Sequence, residues 1–317
     1  MIKTAPDNQR QLFRLKKSSL FQIIVFIFAL AVLIPQIRQF SGSGGYLQDA
    51  SPGWVLLAFC GMFMTIVFAS LVYIVLVPKK LYFKRTLLIQ LATYFTNRLL
   101  PSGLGGIGFN ALYLVKQAKL SRTDSAVYAT ANNLIGFVAF SISVGIVSLI
   151  GDSNIDIGTP RPLYILITVG LLLLLATLAL TVRRLQKAIF EFLGHLFGVI
   201  LAIIKHPKRL IGSIILSIGI TASYVLMLWA STKSVGINIS VVDLFIAFVA
   251  GNAALTISPT PGGIGAVEAA ITAVLVSAGV TPSLALASVV VYRIVSYWVP
   301  IIPGYLAFHR ATKRQYV

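Results

Sequence analysis

Four stretches of the chain, Leu20–Ile37, Trp54–Val77, Pro162–Thr181 and Leu210–Ser231, run on with almost no ionisable side chain. A bilayer core of about 30 Å is crossed by about 20 helical residues rising 1.5 Å each. A buried helix in a soluble domain can look similar, but one soluble core cannot hide this many long apolar runs. Composition agrees: 57% of the 317 residues are hydrophobic and 11% are charged, against about 25% charged in soluble domains. The chain therefore reads as an all-α polytopic membrane protein, a single integral membrane domain over residues 1–317.

The net charge of +18 raises the question of nucleic acid, and its distribution answers no. The basic residues fall in short clusters between apolar runs, as the positive-inside rule requires. The N-terminus, Lys79–Arg85, Lys116–Arg122, Arg183–Lys187, Lys205–Arg209 and the tail from Arg310 hold 21 of the 26 Lys and Arg residues. Placing all of these in the cytoplasm leaves Arg38, Arg161 and Lys233 opposite, beside Asp49, Asp152, Asp156 and Asp243. This puts both termini inside a multi-pass protein of the cell membrane. Basic clusters at that surface also suit anionic lipid. The basic N-terminus and the run from Leu20 read as an uncleaved first span, not a removed leader. Cys60 is the one cysteine, so no intramolecular disulfide forms.

In order, the spans are Leu20–Ile37, Trp54–Val77 (stopped by Pro78), Thr123–Ile150, Pro162–Thr181, Leu210–Ser231 and Ser283–Phe308. The stretch 187–204 is basic at both ends, and Lys187, Glu191, His195 and Gly198 form a narrow polar stripe. It reads as an interfacial amphipathic helix, with His195 a wet surface residue. About six full spans leave two odd regions, 86–117 and 241–279. The charge assignment makes each of them enter and return, from opposite faces.

These two regions resemble each other. Leu100-Pro-Ser-Gly-Leu-Gly-Gly-Ile-Gly108 is echoed by Ser258-Pro-Thr-Pro-Gly-Gly-Ile-Gly265, and each follows a short apolar helix carrying an Asn, Asn97 or Asn252. The arm Thr86–Leu100 reaches about 22 Å as a helix, less than the core thickness. Each region therefore reads as a re-entrant, broken-helix hairpin, and the pair as an inverted repeat. Broken backbone cannot face lipid and persists only inside protein or along a wet cavity. In transporters built this way the binding site lies where the breaks meet. The return arms, expected after Gly108 and after Gly265, would present free N–H groups and a positive dipole end suited to phosphate. The alternative is that Gly105, Gly106, Gly108, Gly262, Gly263 and Gly265 only allow close helix packing.

Ionisable side chains within these segments are expected to face a cavity or a partner. Glu268 is the one acidic residue deep in an apolar segment, in the first turn of the second return arm, where the dipole favours it. Arg293 lies midway along the last span, and Arg98 lies three residues before Pro101. Glu268 with Arg293 is the natural pair, read either as a structural tether or as part of a site in which Arg293 and Arg98 hold a phosphate. Asn110, Asn132 and Asn133 suit a head group or a neighbouring helix equally. No His lies in a span, no metal-ligand spacing occurs, and no nucleophile has a base. No Walker motif is present. The expectation is no catalytic residue, no metal and no cofactor.

The run from Pro259 through Gly262, Gly263 and Gly265 to Glu268, the following Val291-Tyr-Arg293, and Pro303-Gly304 resemble the membrane region of the bacterial lysylphosphatidylglycerol synthase/flippase family. Asn97–Pro101 and Lys116–Ser121 are similar to its first block. There the family often carries a charge after the glycines, where this chain has Phe109, Asn110 and Ala111. The resemblance implies a protein linked to polar lipids. In full-length relatives this region is thought to move aminoacylated phosphatidylglycerol, which a separate soluble synthase domain makes. The chain ends nine residues after Phe308, so a stand-alone form lacking that domain, and no synthase activity, is expected. The leading expectation is a flippase for an anionic or aminoacylated phospholipid or a polyprenyl-phosphate lipid. The alternative is a non-transporting lipid-binding scaffold for an envelope or glycan biosynthesis enzyme.

Overall fold

The structure is a computed structural model that describes residues 50–99, 104–150, 183–258 and 260–317. The spans expected at Leu20–Ile37 and Pro162–Thr181, the acidic loop before the latter, and Pro259 lie outside the described residues. So do the side chains of Arg98, Lys187 and Glu191.

The described chain is helical and contains no strand. Its elements are α1 (Pro52–Leu76), α2 (Phe83–Leu99), α3 (Leu104–Tyr113), α4 (Arg122–Ile150), α5 (Arg183–Ile204), α6 (Pro207–Ser234), α7 (Val241–Ile257), α8 (Ala266–Ser277), α9 (Pro282–Arg293) and α10 (Ile301–Lys313). Local chemistry sets several ends. Prolines begin α1, α6 and α9, where a missing N–H and a fixed φ cost nothing. Val77, held extended before Pro78, stops α1, because proline excludes the helical region for its predecessor. Ser121 and Ser240 cap α4 and α7, their hydroxyls accepting from Asp124 N and Asp243 N at 3.0 Å.

Among the described residues four helical runs are long and apolar enough to cross a membrane: Pro52–Leu76, Arg122–Leu149, Pro207–Ser234 and Pro282–Lys313. Phe137, Leu149, Ile257 and Ile302 are exposed, as lipid-facing side chains must be. The protein is an all-α, multi-pass membrane protein. The last run is not one smooth helix as expected: a π-helical turn, Ile294–Trp298, separates α9 from α10. A second π turn, Leu114–Ala118, extends α3.

The hairpins form as α2–α3 and α7–α8. The α-helical arms have 17, 10, 17 and 12 residues, the second continued by the 5-residue π turn, each short of the roughly 20 needed to span. Each hairpin has its own core. The first packs Ile89, Tyr113 and Leu114 with Ala307 of α10 and Leu76 of α1. The second packs Leu244, Ile271 and Leu275 with Met227 of α6, Val289 of α9 and Ala58 of α1. Thus α1 belongs to both, and its long contact with α6 joins the halves. Helix α5 begins at Arg183, ahead of the expected 187. It lays Leu196, Val199 and Ile203 on the first core, while His195 is exposed.

One expectation is overturned. The matched Gly-Gly-Ile-Gly runs do not adopt one conformation. In the first hairpin the return arm starts at Leu104, so Gly105, Gly106 and Gly108 are helical and do not precede the arm. In the second, Pro261–Gly263 is a 3₁₀ turn, Gly262, Gly263 and Gly265 have positive φ, and α8 begins at Ala266. Gly105 and Gly106 serve close packing against α2. A Cβ on Gly105 would lie 2.1 Å from the Thr96 carbonyl oxygen of α2, so the arms touch backbone to backbone.

Candidate functional site

The second hairpin turn is held by a buried ion pair. Arg293 Nε donates to Glu268 Oε1 at 2.7 Å, and the two side chains are 8% and 11% exposed. Glu268 Oε2 accepts from Gly265 N at 2.8 Å, so the carboxylate caps its own helix. Arg293 Nη2 donates to the Gly262 carbonyl at 2.9 Å. The guanidinium also lies 4.5 Å from the centre of the Tyr297 ring, a cation–π contact. One arginine thus ties the glycine turn, the start of α8 and α9 together.

The π turn aims Tyr297 at this place. A Cβ on Gly262, which has φ +64°, would lie 2.0 Å from Tyr297 Cε2. The ring therefore packs against bare backbone, at a φ that side chains disfavour. The positive end of α8, expected to be free for an anion, has its Gly265 N–H taken by Glu268.

The first hairpin turn contains no such charge among its described side chains. Asn97 Oδ1 accepts from Gly106 N at 2.6 Å. Asn110 Nδ2 donates to the Gly106 carbonyl at 2.9 Å and to Thr93 Oγ1 at 3.3 Å, while its Oδ1 accepts from Gln90 Nε2 at 2.7 Å. Neutral amides tie α2 to α3 here, as the ion pair ties α8 to α9 in the other hairpin. Asn110, expected to serve a head group or a helix equally, serves the helices here.

Each hairpin borders a cavity. The first cavity, about 350 Å³, is lined by Asn97, Tyr224, Asn252, Thr260, Arg293 and Tyr297 among others. The second, about 320 Å³, is lined by Gln90, Asn97, Asn110, Asn132, Asn133 and Tyr224 among others. Asn97 and Tyr224 line both. At this shared wall Tyr94 and Tyr224 hydroxyls lie 3.3 Å apart, and Tyr94 is bonded to Thr65. Helix α2 touches the turn Pro261–Gly263, so the two hairpins meet here.

The structure therefore brings Arg293 and Gly262 to one cavity and Gly106 and Asn110 to the other. Glu268 stands behind Arg293 and lines neither cavity; Gly265 is the cap. Gly105 is in the α2 contact, Gly263 packs on Leu255 and Val267, and Gly108 meets nothing within 4 Å. Tyr94, Tyr224 and Tyr297 are the residues that sequence reasoning missed. Tyr297 had a signal: it follows Arg293 by four residues, the spacing that puts two side chains on one helix face. Tyr224 had none, because only tertiary packing stacks it on Phe248 of α7 and brings its hydroxyl to Tyr94 of α2. No group of His, Cys, Asp and Glu among the described residues is arranged to hold a metal.

A family model described as the lysylphosphatidylglycerol synthase TM region matches residues 19–304. That range contains both hairpins, both cavities and the Glu268–Arg293 pair. No curated protein matches the chain.

Proposed function

We propose that this chain, which belongs to the lysylphosphatidylglycerol synthase TM-region family, moves lipid head groups across the cell membrane through the two hairpin cavities. That family makes it a membrane protein related to lipid modification or transport. The observation that carries the finer reading is the pair of cavities, one per broken-helix hairpin, that share a wall at Asn97 and Tyr224. Two half-paths meeting at a thin partition are what alternating access needs. The hairpins enter from opposite faces and the termini lie in the cytoplasm, as the distribution of basic residues favours.

Arg293 is the head-group residue in this reading. Its Nε and Nη2 are committed to Glu268 and Gly262, and Nη1 makes no hydrogen bond among the described residues. An anionic phosphate is the ligand that a lining guanidinium suits. Glu268 keeps Arg293 oriented and offsets its charge when no lipid is present. The chain acts as a transporter, not an enzyme, on an anionic or aminoacylated phospholipid or a polyprenyl phosphate. An envelope-biosynthesis enzyme is the partner that would supply or use such a lipid.

The test is reconstitution of the full chain in liposomes, with transbilayer movement of labelled phosphatidylglycerol, aminoacyl-phosphatidylglycerol and polyprenyl phosphate measured beside Arg293→Ala. Movement of one lipid, lost in the variant, supports the reading. Equal movement with parent and variant refutes the role of Arg293. No movement with folded protein refutes transport and points to a lipid-binding scaffold.

A further inference from the structure

The two cavities differ in chemistry more than in size. The first has a guanidinium in its wall. The second has no ionised side chain among its described lining residues, and instead carries five amides, Gln90, Asn97, Asn110, Asn132 and Asn133, with the phenols of Tyr73, Tyr94 and Tyr224. Its floor is rigid: Gln90, Thr93 and Asn110 are buried and bonded to one another. Against these described side chains a charged head group would lose hydration with no opposite charge to replace it, at a cost of several kcal/mol. A neutral, hydroxyl-rich group has the opposite balance. Each hydroxyl both donates and accepts, and so does each amide. Small-molecule sites start at about 300 Å³, so the cavity admits one sugar ring and little more.

From this we infer that the second cavity, between α2–α3 and α4, binds an uncharged glycosyl group. The inference rests on the reading that head groups enter the hairpin cavities, and it deepens that reading: the phosphate is held at Arg293 in the first cavity, and the second takes the uncharged glycosyl part of the head group. The committed amides Asn97 and Asn110 fix the shape of the site. Asn132, on α4, makes no side-chain hydrogen bond among the described residues and is the group free to meet a sugar hydroxyl. Asn252 lines the first cavity, also without a side-chain hydrogen bond, and serves as its counterpart.

The experiment measures equilibrium binding of radiolabelled monohexosyl diacylglycerol to the full chain in phosphatidylcholine nanodiscs. Unlabelled diacylglycerol, phosphatidylglycerol and methyl hexoside serve as competitors. Asn132→Leu and Asn252→Leu are compared with the parent, each checked for an unchanged melting temperature. The glycosyl lipid is expected to bind about tenfold tighter than diacylglycerol, and Asn132→Leu to lose most of that factor, since one or two hydrogen bonds carry it. Asn252→Leu leaves it unchanged. Competition by methyl hexoside identifies a free sugar as sufficient; competition by glycosyl lipid alone identifies a lipid head group. Equal binding of both lipids, or full glycosyl preference in Asn132→Leu, overturns the inference. Arg293-dependent movement of phosphatidylglycerol with no glycosyl preference would sink this inference and leave transport standing. Glycosyl binding without movement of any lipid would do the reverse.

Discussion

Removing one member of the Glu268–Arg293 pair should cost more than removing both. The Glu268 side chain is 11% exposed beside Arg293, and in Arg293→Met its carboxylate is left with one hydrogen bond, from Gly265 N. An orphaned buried charge costs about 3–5 kcal/mol. The variant also loses the hydrogen bond to the Gly262 carbonyl and the contact with Tyr297. In Glu268→Met the guanidinium keeps Gly262 and Tyr297, so the loss should sit at the lower end, about 3 kcal/mol. The double variant leaves no buried charge. It should recover about 2 kcal/mol relative to Arg293→Met, while still lacking the tie to Gly262. Thermal unfolding of the purified chain reads these as a melting-temperature drop of roughly 5–15 °C for each single variant and a smaller one for the double. Coupling is then taken from the cycle. If the single losses add within about 0.5 kcal/mol in the double variant, the side chains are independent and the tether argument fails.

The glycines give sharper contrasts. Gly105→Ala should separate α2 from α3, since its Cβ would lie 2.1 Å from the Thr96 oxygen; a loss of about 3 kcal/mol is expected in thermal unfolding. Gly108→Ala, with nothing within 4 Å and a helical backbone, should be neutral or stabilise by about 0.5 kcal/mol in the same assay. Gly262→Ala should displace Tyr297, and quenching of the neighbouring Trp298 fluorescence should change with it. Asn110→Leu leaves Gln90 Nε2 without its partner and removes the side-chain bonds to the Gly106 carbonyl and Thr93, which should lower stability by about 2 kcal/mol and raise amide exchange in α3.

The membrane class was legible in residues because it depends on one-dimensional quantities: the length of apolar runs and the spacing of charges between them. The same is true of the hairpins, since an arm too short to cross, followed by Pro and Gly, has to turn back. The Glu268–Arg293 pair was legible too, because two isolated charges in apolar segments have few other partners. Identical Gly-Gly-Ile-Gly runs nevertheless took different backbones, helical from Leu104 in one hairpin and left-handed turns at Gly262, Gly263 and Gly265 in the other. Glycine permits both conformations, so its neighbours choose: Thr96 of α2 presses on the first run, and Tyr297 with Arg293 holds the second. The sequence alone determined that there are two breaks and where they fall. Tertiary packing decided which became a tight helix contact, which became a charged turn, and that Asn97 and Tyr224, 127 positions apart, form the wall between the cavities.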